Sequence, residues 1–358
     1  MKFSTRLLLP FFLAFAPSAS AASPADLQAQ IGHHVIFSYP GLEPPAHLLD
    51  LIAEGKVGGI IIFGENDGDN LTTTIDNFQK TYKQSPYYSG SPLFIMTDQE
   101  GGQVRRLPGG PEESAKQIGQ AADREAAATQ MGKDAASTLE EFKNNANLAP
   151  VLDVYREAGD FADASQRSFS NSSRIVGTCG SAFISAQQSA GVVAAAKHFP
   201  GLGAAGTGEN TDLQPVTIDL TIEELHKVDM TPYTQAITAG VDMVMTSWAI
   251  YPALDPTYPS GLSKTIIQDE LRGRLGFKGV TITDAVEAGA LEAFGDQAAR
   301  GLLAAQAGID ILLASKRDAT QGEDIYNALL AALEDGSLDQ DVFSAATQRI
   351  LDVRKKLV

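Results

Sequence analysis

Eight short apolar runs rich in β-branched residues, set apart by longer segments, constrain this chain more than any other feature. They lie at 34–38, 59–63, 93–97, 147–152, 191–197, 242–246, 279–283 and 308–314. Each has the length of a buried strand. Amphipathic, Ala-rich or charged segments of helical period fall between or after them, at 45–54, 115–138, 180–188, 222–239, 264–275, 323–333 and 341–356. Strands that alternate with helices pair in parallel through right-handed crossovers. Eight such units predict an α/β fold, a single (β/α)8 TIM-type barrel over residues 22–358. An open doubly wound sheet has the same alternation and stays as the alternative. No Pro/Ser-rich linker or composition break divides residues 23–358.

The first 21 residues read differently. A basic start with Lys2 and Arg6 leads into an apolar run over 7–16, then small residues ending in Ala19-Ser20-Ala21. That is a signal peptide cut near Ala21, so the expected destination is outside the cell, or the periplasm in a Gram-negative host. The run is too short for a membrane span, and no later stretch of 18 apolar residues exists, so no membrane partner is expected. Twenty-seven Lys and Arg against 44 Asp and Glu leave a formal charge of −17. Such a chain repels phosphate backbones, which excludes nucleic acid as a partner. Cys179 is the sole cysteine, so no intrachain disulfide forms. Without a thiolate cluster, a His pair at ligand spacing or a phosphate loop, the sequence indicates neither metal nor organic cofactor. His33-His34 project to opposite faces of a strand and do not share a ligand. Two sequons, at Asn70 and Asn171, are available for glycosylation. A monomer is the default expectation.

Chemistry in a parallel barrel sits at the carboxyl ends of its strands. Four of the eight runs end there in an ionisable residue: Thr97-Asp98, Leu152-Asp153, Lys197-His198 and Thr283-Asp284. One Asp after a strand is ordinarily a helix cap or a turn residue. Four converging on one rim point to a site, because buried charges need partners. Lys197-His198 is the sharpest case, since the cations follow Gly191-Val192-Val193-Ala194-Ala195-Ala196 with no other polar side chain. A Lys there suits recognition of hydroxyls or carboxylates, or pairs with a structural Asp.

These residues also carry a resemblance. The chain resembles the single-domain β-N-acetylhexosaminidases of glycoside hydrolase family 3, the group that includes the bacterial enzyme of peptidoglycan recycling, from about Leu27 to Leu351. The landmarks are Val57-Gly58-Gly59-Ile60-Ile61-Ile62-Phe63, Thr97-Asp98-Gln99-Glu100-Gly101-Gly102, Ala149-Pro150-Val151-Leu152-Asp153, Arg167-Ser168-Phe169, Lys197-His198-Phe199-Pro200-Gly201, Tyr251-Pro252-Ala253 and Gly279-Val280-Thr281-Ile282-Thr283-Asp284. The resemblance implies retaining hydrolysis of a carbohydrate substrate, with Asp284 as nucleophile and a covalent glycosyl-enzyme intermediate. It also implies that Asp98, Arg106, Arg167, Lys197 and His198 hold sugar hydroxyls. Carboxylates accept from hydroxyls while Arg and Lys donate to them. Glu100 and Asp153 are expected to brace the rim rather than touch substrate.

The chain departs from the family at the acid/base. In the family it is a His on the loop after the fifth strand, within Asp-Ser-His, whereas residues 201–212 contain no His. Allowing a two-residue insertion, Asn210-Thr211-Asp212 falls on that triplet, which makes Asp212 the candidate acid/base and Glu209 the runner-up. A carboxyl with a raised pKa fills such a role. Four glycines among 201–208 give the loop freedom to move. Trp248 stands where relatives commonly carry His, and is expected either to stack on a sugar face or to pack in the core. The leading expectation is a secreted exo-β-N-acetylglucosaminidase acting on chitin- or peptidoglycan-type fragments. The alternatives are a sugar-binding homologue without turnover, a β-glucosidase and a phosphorylase.

Overall fold

The first strand pairs on both of its edges, and that closes the sheet. The computed structural model describes residues 24–357. The signal peptide read at residues 1–21 therefore lies outside the described residues. Among the described residues, ten strands occur: β1 (Val35–Phe37), β2 (Gly59–Ile61), β3 (Phe94–Thr97), β4 (Gln99–Gly101), β5 (Val104–Arg105), β6 (Ala146–Asn147), β7 (Val193–Phe199), β8 (Met243–Thr246), β9 (Val280–Ala285) and β10 (Ile311–Leu313). Eight form a closed barrel in the order β1-β10-β9-β8-β7-β6-β3-β2. Every pairing between them is parallel, and β1 bonds both β2 and β10. This closure excludes the open sheet, whose two edge strands would each lack a neighbour.

Each of the eight apolar runs contains or overlaps one barrel strand, and the pleat decides what each residue does. Ile36, Met96, Ala195, Met245 and Ile282 fill the barrel interior. Their neighbours Phe37, Ile95, Ala196 and Val244 turn outward onto the surrounding helices. Ile350 and Val353 of the last long helix, Gln340–Arg354, join the interior cluster. Arg354 is fully buried, donating to the Ser91 and Pro92 carbonyls and meeting His33 Nδ1 at 2.7 Å.

Two local features differ from the sequence pattern. The fourth run starts one residue early and keeps ladder geometry only over Ala146–Asn147. Beyond it, Pro150 has no N–H to give, yet pairing with β7 resumes at the Val151–Lys197 bridge. The helical segment at 115–138 is two helices, Ala115–Gln120 and Arg124–Glu141, because the Asp123 side chain accepts from Ala126 N–H and starts a new helix. No described helix is long and apolar enough to cross a membrane.

Candidate active site

The carboxyl ends of the barrel strands surround a cavity of about 400 Å³. Asp98 follows β3, Glu100 lies in the β4–β5 hairpin, Lys197 and His198 end β7, and Asp284 ends β9. Arg106 and Arg167 reach the same space from loops. The structure thus brings together residues up to 186 positions apart in the sequence, from Asp98 to Asp284.

One wall is a network of opposite charges. Lys197 is 2% exposed, and its ammonium lies 2.6 Å from Asp98 Oδ1 and 2.7 Å from Glu100 Oε1. Arg167 grips both Glu100 oxygens, Nε and Nη2 each at 2.8 Å. Burial alone would raise the Glu100 carboxyl, but Arg167 and Lys197 outweigh it and hold the group well below the ordinary carboxylate range. Burial pulls both cations down, but the Glu100 and Asp98 carboxylates outweigh it and hold Arg167 and Lys197 above their usual values. A buried charge survives only when paired, so this wall is fixed in position and charge. Arg106 is less committed. Its Nε stands 3.8 Å from Asp98 Oδ2 and is buried with no hydrogen-bond partner among the described residues.

His198 is set from behind. Its Nδ1 lies 2.8 Å from Asp153 Oδ2, while Asp153 Oδ1 accepts from the His198 and Leu202 amides. Asp153 is buried and does not line the cavity. Its place is behind the rim, orienting His198 and the start of the following loop.

Asp284 occupies the cavity with one oxygen accepting from Ala285 N–H at 2.7 Å. Burial and the nearby Asp212 carboxylate push its carboxyl above the usual range, against the pull of His198 and Lys197. Asp212 also lines the cavity, so the Gly-rich loop brings a carboxylate into the space that Asp284 lines. Glu209 does not line it, because Oε2 turns back to accept from Gly206 N–H at 2.6 Å. The loop's path depends on Gly203, where a Cβ would sit 2.2 Å from the Val154 carbonyl oxygen.

The remaining histidines are engaged elsewhere. His34 bonds Asp310 and Thr347, His33 meets Arg354, His47 pairs with Glu323, and His226 pairs with Glu270. Among the five, only His198 lines the cavity. Trp248 does not line it either. The indole is 1% exposed and packed in the core, with Nε1 donating to the Ala285 carbonyl at 2.8 Å. The sugar-stacking expectation is corrected on this point: a ring enclosed on both faces has none to offer. Its role is to hold the backbone just after Asp284.

Two charged lining residues, Glu287 and Arg317, do not stand out in the sequence. Glu287 accepts from Ser315 Oγ and Gln321 Nε2 at 2.7 and 3.0 Å. Arg317 lies over the Phe63 ring, 4.0 Å from its centroid. Glu287 and Arg317 each stand three to four residues past an apolar run, and that spacing could have marked them.

The glycosyl hydrolase family 3 N-terminal domain matches residues 30–353. A protein of Arthroderma benhamiae named as an uncharacterized secreted glycosyl hydrolase is 55% identical over 97% of this chain and 99% of its own length. A β-hexosaminidase of Tolumonas auensis is 33% identical over 76% of this chain and 80% of its own. Among solved structures, the β-N-acetylhexosaminidase of Beutenbergia cavernae superposes with a TM-score of 0.82, at 29% identity, over 92% of this chain and 98% of that one. A family 3 β-N-acetylglucosaminidase from Paenibacillus gives 0.85 at 31% identity, with 92% of this chain spanning 62% of that one. Barrel, site and similarity lead to one conclusion: this chain belongs to glycosyl hydrolase family 3 and is a glycoside hydrolase.

Proposed function

We propose that the protein is a secreted, retaining, exo-acting β-N-acetylglucosaminidase that removes terminal N-acetylglucosamine from chitin- or peptidoglycan-type fragments. The observation that carries this reading is one carboxylate, Asp284, with an uncommitted oxygen opposite a prebuilt wall of hydroxyl-binding charges. The preference for the N-acetylated sugar is supported by the names of the relatives, and secretion by the N-terminal pattern.

The reaction follows in two steps. Asp98, Lys197, Arg167, Arg106 and His198 fix the sugar ring, which places its anomeric carbon against Asp284. The free Asp284 oxygen attacks that carbon as the glycosidic bond breaks, and the leaving oxygen takes the proton of the Asp212 carboxyl. Asp212, now a carboxylate, takes a proton from water. The water oxygen bonds the anomeric carbon and the Asp284 ester opens, so the configuration is retained after two inversions. The fixed charges of the wall cost no reorganisation when positive charge develops on the ring.

Two experiments bear on this reading. Aryl β-N-acetylglucosaminide should be turned over faster than aryl β-glucoside, and a β-linked disaccharide should release the β-anomer first. Faster glucoside turnover would favour the β-glucosidase reading. Sugar phosphate formed on adding phosphate would mark a phosphorylase, and ligand binding with no turnover a binding protein. Separately, Lys197→Ala, His198→Ala and Arg167→Ala should each lower kcat/KM by roughly one to three decades, since a hydrogen bond to a charged group contributes about 1.5–3 kcal/mol. Wild-type kinetics in all three would place the sugar elsewhere.

A further inference from the structure

We infer that Gly289 is a positioning residue: its backbone latches the catalytic loop onto the segment that follows the nucleophile and thereby sets Asp212 against Asp284. The inference rests on the acid/base reading of Asp212 given above.

The segment from Ala285 to Ala290 is a brace. At its start the Ala285 carbonyl receives the Trp248 indole, and Val286 N–H donates to the Leu313 carbonyl. In its middle Glu287 is held by Ser315 and Gln321. Its far end meets the loop: Gly289 N–H donates to the Asp212 carbonyl at 2.8 Å, and Ala290 N–H to the Thr211 carbonyl at 3.0 Å. One short, well-tied stretch of backbone thus carries the nucleophile at one end and grips the candidate acid/base at the other.

Residue 289 must be glycine for the grip to form. Its backbone is not in the left-handed region, so conformational freedom is not the reason. Close approach is. A Cβ there would lie 2.4 Å from the Leu213 carbonyl oxygen and 3.1 Å from that of Asp212, both backbone atoms. Any side chain pushes the loop away from the brace, and Asp212 moves with it. The amide remains, the pocket wall is untouched, and only the spacing of the two carboxylates changes.

The test combines Gly289→Ala, Asp212→Ala and the double variant with two substrates, a β-linked disaccharide and an aryl glycoside with a good leaving group. Gly289→Ala should lower kcat/KM on the disaccharide by about 10–100-fold, the scale of a 1 Å misplacement. On the aryl substrate the loss should be under about threefold, because that leaving group needs little protonation. In the Asp212→Ala background, Gly289→Ala should add no further loss on the disaccharide. Equal losses on both substrates, wild-type behaviour, or losses that multiply in the double variant would each overturn the latch. If Asp212→Ala shows the substrate split and Gly289→Ala does not, the latch fails and the acid/base reading stands. If Gly289→Ala alone shows it, the loop supplies its proton from another residue, and the Asp212 reading fails.

Discussion

Asp284→Asn should abolish turnover, with kcat falling by roughly four decades or more on every substrate, because an amide cannot form the glycosyl ester. The variant should keep its fold and still bind the sugar. No other described residue donates to Asp284 through its side chain, so none loses a partner. A fluorinated slow substrate should leave its label on Asp284, found by mass spectrometry of the digested protein. A label on Asp98 or Asp212 would move the nucleophile and with it the reading of the cavity.

The same residue should set the acidic limb of activity. In the proposed mechanism Asp284 must be ionised to attack, and burial holds its carboxyl above the ordinary range. Activity should therefore fall at a higher pH than an unperturbed carboxylate would give as solutions are made acidic, measured as kcat/KM against pH. Stability carries the opposite sign. A carboxyl whose folded pKa is raised binds its proton more tightly in the folded state. Its contribution is present at low pH and is lost as pH rises through the folded pKa. At neutral pH the ionised group is a cost, and Asp284→Asn should melt no lower than the wild type.

What the sequence made legible, and what it did not, follows from the range of the forces involved. The eight strands were readable because the need to bury apolar side chains is written locally, as short β-branched runs. Closure was not written locally: it depends on β1 meeting β10, 276 residues later in the case of Val35 and Ile311 by position and held through the Val35–Leu312 register. Asp98, Lys197, His198 and Asp284 could be suspected because each ends a run. Arg106 and Arg167 sit in loops, where only the family resemblance singled them out. The grip of Arg167 on Glu100 spans 67 residues, and no periodicity carries such a pair. Trp248 was ambiguous because a lone aromatic after a strand reads equally as platform or core. Its burial and its bond to the Ala285 carbonyl decide for the core. Gly289 was invisible, since its glycine requirement comes from the carbonyls of Asp212 and Leu213 rather than from its own backbone angle.

The acid/base role proposed for Asp212 leads to the second large effect. Departure of a sugar alkoxide needs a proton, whereas departure of a nitrophenolate hardly does, and positioned acid catalysis contributes about 10²–10⁴-fold. Asp212→Ala should therefore cut kcat/KM on a β-linked disaccharide by about that factor. On an aryl glycoside, formation of the intermediate should slow by less than about tenfold. Its hydrolysis should slow much more, because no base remains to activate water, so the glycosyl-enzyme should accumulate in a burst. Azide carries its own charge and needs no general base. Adding it should restore turnover of the aryl substrate in Asp212→Ala and yield the β-glycosyl azide, with no gain in wild type. Glu209→Ala should show neither the substrate split nor the azide rescue, since Glu209 folds back on Gly206 and lies off the cavity. Rescue in Glu209→Ala but not in Asp212→Ala would mean that the loop opens to exchange the two carboxylates. Rescue in neither, with efficient disaccharide cleavage by the wild type, would turn attention to Glu287, the cavity carboxylate beyond Asp98, Glu100, Asp212 and Asp284. That residue is the weaker candidate on physical grounds, since Ser315 and Gln321 already occupy its oxygens with donated hydrogen bonds.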